Sequence, residues 1–161
     1  MCIRDSIISE KKRIYVYGKG SSGLAALEMK LRFMRIGVTI EAITDVDIMK
    51  MNSVLLDGEC AAIGISVSGR TEAVIHSLQS AKKCGAAVIL MTSHIEKKFQ
   101  NFCDEIMLFA VKANLEKGKA ISPQFPILVM VDIIYSRMLR MDDFRRETLH
   151  EYTLEVLERD S

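Results

Sequence analysis

Glycine, hydroxyl and basic side chains are concentrated in two short stretches of this sequence. The first loop, residues 18–23, reads GKGSSG, and the second loop, residues 66–71, reads SVSGRT. Glycines let a backbone approach a ligand closely, and serine and threonine hydroxyls donate hydrogen bonds. These features suit a phosphate group, whose oxygens only accept hydrogen bonds at full ionisation. The predicted binding residues are Lys19, Gly20, Ser21, Ser22, Ser66, Ser68, Gly69, Arg70 and Thr71, with Thr92 added for its position at the end of a later strand.

Each loop taken alone also has a simpler interpretation. The sequence SGRTE is typical of an ordinary helix N-cap. The first loop matches the G-x-G-x-x-G dinucleotide fingerprint, with Glu41 about 20 residues further on as a possible ribose partner. It is not a Walker A loop, because no G-K-S/T closes it. A dinucleotide gives no reason for the second loop, whereas a sugar phosphate uses both, so the pair favours a phosphate-bearing small molecule.

Apolar segments of strand length alternate with helical patterns along the chain. This alternation predicts an α/β fold, a doubly wound five-stranded parallel sheet flanked by helices. If the strand order is 2-1-3-4-5, as in flavodoxin-like folds, it reverses between strands one and three, and both loops lie at that crevice. Each loop opens a helix, so backbone N–H groups and the positive dipole end face the crevice. The predicted strands are residues 13–18, 38–43, 60–66, 86–92 and 105–111, and the predicted helices are residues 22–36, 45–51, 72–84, 125–140 and 142–159.

Two helices carry informative apolar patterns. Residues 22–36 repeat apolar side chains at spacings of three and four, which predicts an amphipathic helix. Residues 125–140 are apolar nearly all round, and Asp132 within them is expected to need a buried partner or a polar cavity. This helix is either a central core helix or, with the amphipathic tail, part of a dimer interface. The apolar face of the earlier helix consists of Leu24, Leu27, Leu31 and Met34.

Composition excludes several classes of protein. The 161 residues suffice for one domain, and 49% apolar with 27% charged residues is typical of a globular protein. A net charge of +1 and the lack of a helix-turn-helix pattern indicate that the chain does not bind DNA alone. No apolar run reaches the length of a membrane span, and no secretory signal is visible. Cys2, Cys60, Cys84 and Cys103 lack the spacing of a zinc site, so we predict no metal or cofactor and a reducing cytoplasm.

No residue stands out as a catalytic acid or base. Moving a proton between sugar carbons requires a base placed over the substrate. His94, after the fourth strand, is the best histidine candidate, whereas His76 is expected to be an ordinary helix residue. Glu116 lies in a loop of solvated composition, and His150 is expected to face solvent or a partner. We therefore assign no catalytic residue, and sensing is favoured over catalysis.

The motifs together resemble the SIS domain, the sugar isomerase fold that binds phosphosugars. The resemblance covers residues 13–140 and rests on YGKGSSG, ISVSGRTEAV and GAAVILMT. It implies that Ser66, Ser68 and Thr71 hold the phosphate with backbone amides, and that Ser22 contacts the sugar or phosphate. It also implies a homodimer or homotetramer. The chain looks most like the effector domain of RpiR/MurR-type transcriptional regulators, and a phosphosugar isomerase is the alternative.

The first residues of the chain differ in character from the rest. MCIRDS, residues 1–6, resembles the read-through translation of a transposon-end adapter from sequencing libraries, so we expect these residues not to be natural sequence. Residues 7–12 resemble the end of a linker helix, and residues 13–161 form the SIS domain with its C-terminal helices. An upstream helix-turn-helix domain would then be missing, and DNA would be a partner only through it.

Overall fold

A sheet of five parallel strands forms the centre of the structure, a computed structural model that describes residues 3–110, 122, 124–141 and 144–159, with the backbone alone for residues 3–5. The strands are β1 (Arg13–Gly18), β2 (Ile40–Ile43), β3 (Cys60–Ile65), β4 (Ala87–Thr92) and β5 (Glu105–Leu108). Their order is β2-β1-β3-β4-β5, and each neighbouring pair is parallel. This confirms the predicted doubly wound sheet and places the reversal of strand order between β1 and β3.

Helices cover both faces of this sheet. They are α1 (Ile3–Glu10), α2 (Ser21–Met34), α3 (Val46–Ser53), α4 (Glu72–Lys83), α5 (Gln124–Met141) and α6 (Arg145–Arg159), with a short 3₁₀ helix over Lys97–Asn101. Side chains of α1, α2 and α5 form one core with the sheet, and those of α3, α4 and the 3₁₀ helix form the other. All six residues of β3 are buried, because this central strand is covered on both faces.

The boundaries differ from the predicted ones by a few residues. The strand β2 begins at Ile40 rather than at residue 38, because Gly37 turns the chain with a φ of +78° and the strand starts only after that turn. The predicted end of the fifth strand at Val111, the loop with Gly118 and Pro123, and the predicted start of the tail helix at Asp142 lie outside the described residues.

The leucine stripe of α2 does not face the core. Its four apolar side chains are between 42% and 60% exposed. The helix instead buries small residues such as Ala25 and Ala26, together with Phe33. Small side chains let the helix lie close to β1, where a Cβ added to Gly18 would stand 2.5 Å from the carbonyl oxygen of Ser22. The exposed residues are Leu24, Leu27, Leu31 and Met34.

The α5 helix is a core helix that also exposes an apolar face. Ile127, Val131, Ile134, Tyr135 and Met138 are buried. Phe125, Val129 and Ile133 are between 42% and 65% exposed. Asp132 was expected to need a buried partner or a polar cavity, but it lies on the exposed side of the helix and pairs with the partly exposed Arg32 of α2. The apolar side chains of α5 thus pack into the core on one side of the helix and are exposed at the surface on the other.

The C-terminal helix α6 is attached through few contacts. None of its residues is fully buried, and Leu149 packs near Gly37. His150, which was expected to face solvent or a partner, is half-buried, and its Nδ1 lies 2.7 Å from the Tyr135 hydroxyl. Within the described part of the chain, no helix combines the length and the apolar character needed to cross a membrane.

Candidate functional site

The two loops lie side by side at the carboxyl edge of the sheet. In the register of β1 and β3, Gly18 pairs with Ile65, the last residue before the second loop. The first loop leads directly into α2, and the second leads directly into α4. The predicted crevice between strands one and three is therefore present, and both loops form it.

The second loop is held in shape by its own hydroxyl groups. Ser66 is 1% exposed, and its Oγ donates to Thr71 Oγ1 at 3.0 Å and accepts from the Thr71 N–H at 3.3 Å. The Gly69 N–H donates to the Ser66 carbonyl at 3.0 Å. Ser68 is exposed, and its hydroxyl accepts from the Arg70 N–H at 3.3 Å. Ser66 and Thr71 thus brace the loop, while Ser68 and Arg70 face solvent at its tip.

Gly69 fixes the turn of the second loop. Its φ is +67°, a conformation that L side chains rarely adopt. A Cβ at this position would stand 2.8 Å from Cζ of Phe99 and 3.3 Å from Oγ1 of Thr92. Phe99 is fully buried, so this wall under the loop cannot move aside freely.

A second set of hydrogen bonds ties the second loop to the end of β4. The Val67 carbonyl accepts from Thr92 Oγ1 at 3.3 Å, from the Ser93 N–H at 3.0 Å and from Ser93 Oγ at 2.7 Å. Thr92, which the sequence placed among the binding residues, is fully buried beneath the loop. Its hydroxyl supports the loop backbone in this structure.

The two helices that start at the crevice, α2 and α4, have no side-chain cap. The helix α3 shows what such a cap looks like in this chain, because the Asp45 carboxylate accepts hydrogen bonds from the N–H groups of Asp47 and Ile48. At α4 the N-cap residue is Thr71 and at α2 it is Gly20, and neither helix has a side-chain cap hydrogen bond. The N-cap interpretation of SGRTE is therefore not supported. The positive dipole ends and first-turn N–H groups of both helices remain available to an anion, except the Gly23 N–H, which donates to the Gly20 carbonyl at 3.0 Å.

The first loop is joined to a helix that sequence reasoning did not connect with it. The Nε2 of Gln124, the first residue of α5, donates to the Ser21 carbonyl at 3.0 Å. Ser22 is buried, while Lys19, Gly20 and Ser21 are exposed. The only signal in the sequence was topological, since α5 follows β5 and so starts at the same edge of the sheet.

A cleft of about 540 Å³ lies beside both loops, between α3 and α4. Lys19 of the first loop and Thr71 of the second line it, which confirms that the two loops share one open space. The helices contribute Val46, Lys50, Glu72, Ala73 and His76. The volume lies in the range of small-molecule sites, about 300–1,000 Å³.

The candidate bases are scattered rather than paired. His76 is exposed in the cleft, and His94 is exposed at the end of β4. The Lys98 ammonium, with Arg70 and His94 further away, holds the pKa of Glu96 below its ordinary value. Glu116 lies outside the described residues. Within those residues, no group of three His, Cys, Asp or Glu side chains is arranged to hold a metal ion.

The dinucleotide interpretation of the first loop finds little support. Glu41, its proposed ribose partner, lies within β2 rather than after its carboxyl end. Its carboxylate pairs with the Lys30 ammonium at 2.7 Å. An acidic residue that binds ribose is expected near the crevice, at the end of a strand.

The family of the chain follows from comparison with known proteins. The sequence profile described as "SIS domain" matches residues 7–130. The chain belongs to the SIS domain family. This SIS domain has the fold of the Vibrio vulnificus NanR protein complexed with ManNAc-6P, with a TM-score of 0.87 at 20% identity over 98% of this chain and 60% of that one. At this level of identity the likeness shows the fold.

The curated relatives of this SIS domain include regulators and an enzyme. An uncharacterized HTH-type transcriptional regulator of Clostridium perfringens is 29% identical over 140 residues, 87% of this chain and 50% of the relative. The HTH-type transcriptional regulator RpiR of Escherichia coli K12 is 27% identical over 79% of this chain and 43% of the relative. The 3-hexulose-6-phosphate isomerase of Mycobacterium gastri is 26% identical over 73% and 57%, respectively. The chain spans about half the length of the regulators it matches.

Proposed function

We propose that this SIS domain binds a phosphorylated sugar and is the sensing domain of an RpiR-type transcriptional regulator. The observation that carries the proposal is that two helix N-termini without side-chain caps, that of α2 at the first loop and that of α4 at the braced second loop, lie at one crevice. Such N-termini present oriented N–H donors, and the fixed loop requires no reordering when an anion arrives. The regulator relatives agree with this function, as does the ManNAc-6P with which the NanR protein is complexed.

The charges and hydroxyl groups at the crevice support phosphate over a neutral ligand. Lys19 precedes α2 and Arg70 precedes α4, and both are exposed; the Ser68 hydroxyl in the second loop is exposed as well. We assign the phosphate to the first-turn N–H groups of α4 with the Ser68 and Thr71 hydroxyls, because the N–H groups of Gly69, Arg70 and Thr71 already have partners within the loop. Ser21 and Ser22 bind from the first loop, and Gly20 and Gly69 allow the close approach.

The measurement that tests this proposal is ligand binding by the purified chain. A panel of sugar phosphates, the free sugars and NAD(P) is screened by thermal shift, and hits are measured by isothermal titration calorimetry. We expect a sugar phosphate to raise the melting temperature and its free sugar to leave it unchanged. Stabilisation by NAD(P) and by no sugar phosphate would refute the proposal.

Alanine variants then test the site itself. Ser68→Ala, alone or with Arg70→Ala, should weaken binding at least tenfold, roughly the value of one or two charge-assisted hydrogen bonds, and leave the melting temperature unchanged. Ser66→Ala should lower both, because Ser66 braces the loop. Ser80→Ala, at the far end of α4, is the matched control. Unchanged affinity in Ser68→Ala with Arg70→Ala would refute the site assignment.

A second candidate function is sugar-phosphate isomerisation, favoured by one observation at His94. Ser93 Oγ has a single proton and donates it to the Val67 carbonyl, so its 2.8 Å contact with His94 Nδ1 requires the ring to donate. The neutral ring then carries its lone pair on Nε2, the form that a general base needs. Exchange of a substrate carbon-bound proton for deuterium, followed by NMR and abolished in His94→Gln, would place the chain among the enzymes.

We further propose that the chain forms a homodimer, or a homotetramer built from such dimers, through the exposed apolar faces of α2 and α5. The two faces lie on adjacent, packed helices, and together they leave seven large apolar side chains open to water. A patch of this kind marks an interaction site in a globular protein. The residues are Leu24, Leu27, Leu31 and Met34 of α2 with Phe125, Val129 and Ile133 of α5.

The regulatory step is proposed from the relatives. Sugar-phosphate binding would shift the equilibrium between dimer arrangements and so change the spacing of attached helix-turn-helix domains. We propose that residues 7–12 are the end of a linker helix to such a domain, that residues 1–6 are not natural sequence, and that DNA is contacted only through that domain. A regulator must reach the DNA, so we propose a cytoplasmic location. Sequencing the genomic locus upstream of Ile7 tests the domain assignment.

A further inference from the structure

The second half of α6 is exposed nearly all round. In this segment, residues 151–159, which we call the α6 arm, every residue except Thr153 is exposed. The contacts that attach α6 to the rest of the chain come earlier in the helix, at Arg146, Leu149 and His150. Two turns of helix are marginal in water without packing, because tertiary contacts supply most helical stability in proteins. The arm is therefore expected to pack against a surface beyond those contacts.

Apolar side chains lie on two sides of the α6 arm. Tyr152 and Val156 are four residues apart, so they share one face of the helix, and they are 60% and 44% exposed. Leu154 is two residues from each of them, which places it on the other side, and it is 37% exposed. A helix at a protein surface has one apolar stripe, whereas apolar groups on several sides are typical of an enclosed helix.

The charge of the α6 arm is opposite to that of a groove on α5. From residue 147 to residue 158, α6 contains four glutamates and no lysine or arginine. An open groove of about 340 Å³ runs along the exposed side of α5, and its one carboxylate, that of Asp132, already pairs with Arg32. Apolar and basic side chains therefore lie together in this groove, as a helix with apolar and acidic side chains requires. The groove is lined by Val129, Asp132, Ile133, Ser136, Arg137 and Arg140.

The groove faces away from the α6 helix of its own chain. That helix meets α5 at Tyr135, whose side chain is 4% exposed and whose hydroxyl contacts His150. The groove residues Val129, Ile133 and Arg140 are exposed on the opposite side of α5, and none of the described residues of α6 lines the groove. The groove is thus open to a second chain.

We propose that the α6 arm of each protomer packs into the α5 groove of a second copy. Its apolar side chains lie on Val129 and Ile133, and its glutamates lie towards Arg140. The inference rests on the proposed homodimer and not on sugar-phosphate binding. Val129 and Ile133 also belong to the exposed apolar face proposed for that dimer, so the arm extends the same interface. In a twofold dimer the contact is reciprocal, and two arms fill two grooves.

The first test removes the apolar side chains of the arm. Tyr152→Gln with Val156→Gln replaces both by a residue of good helix propensity, and the dimer dissociation constant of the full chain is measured by analytical ultracentrifugation. We expect it to rise at least about thirtyfold, because two half-exposed apolar side chains are lost from each of two arms. Ile48→Gln with Met51→Gln, which are 52% and 59% exposed on α3, is the matched control and should leave the dissociation constant unchanged.

The second test reverses the charges and asks whether the arm crosses between chains. One variant carries Ser136→Glu with Arg140→Glu in the groove, and the other carries Glu151→Arg with Glu155→Arg in the arm. Each alone should dimerise at least about tenfold more weakly, because like charges meet at both contacts. An equimolar mixture should recover dimers, since each arm then meets a groove of opposite charge. All four residues are exposed, and circular dichroism checks that each variant remains folded.

Three results would overturn the inference. If Tyr152→Gln with Val156→Gln leaves the dissociation constant unchanged while Leu27→Glu with Leu31→Glu gives monomers, the dimer is intact and the arm belongs to another partner, such as an upstream domain. A mixture of the charge variants that stays monomeric would show that the arm does not meet the α5 groove. A wild-type chain that is monomeric at all concentrations would refute the proposed dimer together with this inference, and the thermal-shift test of sugar-phosphate binding would be unaffected.

Discussion

Replacing Gly69 by alanine should destabilise the domain through a contact that can be isolated. At a φ of +67° an alanine costs about 1 kcal/mol or somewhat more relative to glycine. In addition, its Cβ would stand 2.8 Å from Cζ of Phe99, well inside the 3.4–4 Å of ordinary contact. Because Phe99 is fully buried against Phe102, relieving this overlap should cost about 1–2 kcal/mol more.

Gly85→Ala is the control for this prediction. Gly85 also has a positive φ, +92°, but a Cβ there would meet only backbone atoms of Gly58 at 3.7 and 4.0 Å, which is ordinary contact. We therefore expect a loss of about 1 kcal/mol for Gly85→Ala and about 2–3 kcal/mol for Gly69→Ala. For a domain of this size these values correspond to drops in melting temperature of about 3 °C and about 8 °C.

Urea unfolding followed by circular dichroism gives both values, and a double-mutant cycle tests the contact itself. Phe99→Leu shortens the wall, so the combined variant should lose at least about 0.5 kcal/mol less than the sum of the two single losses. Equal destabilisation by Gly69→Ala and Gly85→Ala, or strictly additive losses in the cycle, would refute the claim that buried Phe99 opposes a side chain at position 69.

Three further predictions concern the exposed ion pair of α5, the exposed apolar face of α2 and the partly buried thiol of Cys103. Asp132→Asn should cost less than about 1 kcal/mol in urea, because its pair with Arg32 is exposed. Leu27→Glu with Leu31→Glu should make the proposed dimer monomeric in light scattering, because both residues lie on the exposed apolar face of α2. Burial raises the pKa of Cys103 from 9.0 to about 12, so its stabilising effect is full below pH 9 and is lost as the pH rises towards 12. Cys103→Ala should therefore reduce the loss of stability between pH 8 and pH 10 by about 1 kcal/mol, allowing for the partial exposure of the thiol.

Each of these predictions has an outcome that contradicts it. A loss above 2 kcal/mol for Asp132→Asn would mean that the carboxylate is desolvated in an assembly. If the dimer survives the α2 substitutions but is broken by Leu55→Glu, the interface lies instead on the opposite face of the sheet, next to the end of α3. If Cys103→Ala loses as much unfolding free energy between pH 8 and pH 10 as the unchanged protein, the pKa of this thiol does not differ between the folded and unfolded states.

The fold was predictable because strand and helix periodicities alternate without ambiguity in this chain. The alternation predicted a parallel sheet, whereas the strand order was assumed from flavodoxin-like folds; the structure has that order, which places both loops at the crevice. The apolar face of α2 was not predictable, because a stripe of leucines has the same spacing whether it meets the core or a second chain. The face of α2 that packs on the sheet instead consists of small residues between the leucines, such as Ala25 and Ala26.

The sequence predicted which residues form the candidate site, but not which of them support the loop and which are open to a ligand. Ser66 and Thr92 were expected to contact ligand, and the structure places both beneath the loop as supports. Gln124 was missed because its contact with Ser21 spans 103 residues of sequence. The tautomer of His94 depends on the Val67 carbonyl, which no local pattern in the sequence reveals.

The most direct test of the central claim is a titration of the ¹⁵N-labelled chain followed residue by residue by NMR. A sugar phosphate that stabilises the domain is added to the protein, and its free sugar is added to a second sample. The account predicts that the phosphate shifts the amide signals of residues 20–22 and 68–72, at the two helix N-termini, and that the free sugar leaves them in place. Shifts confined to another surface, or equal shifts with the free sugar, would contradict it.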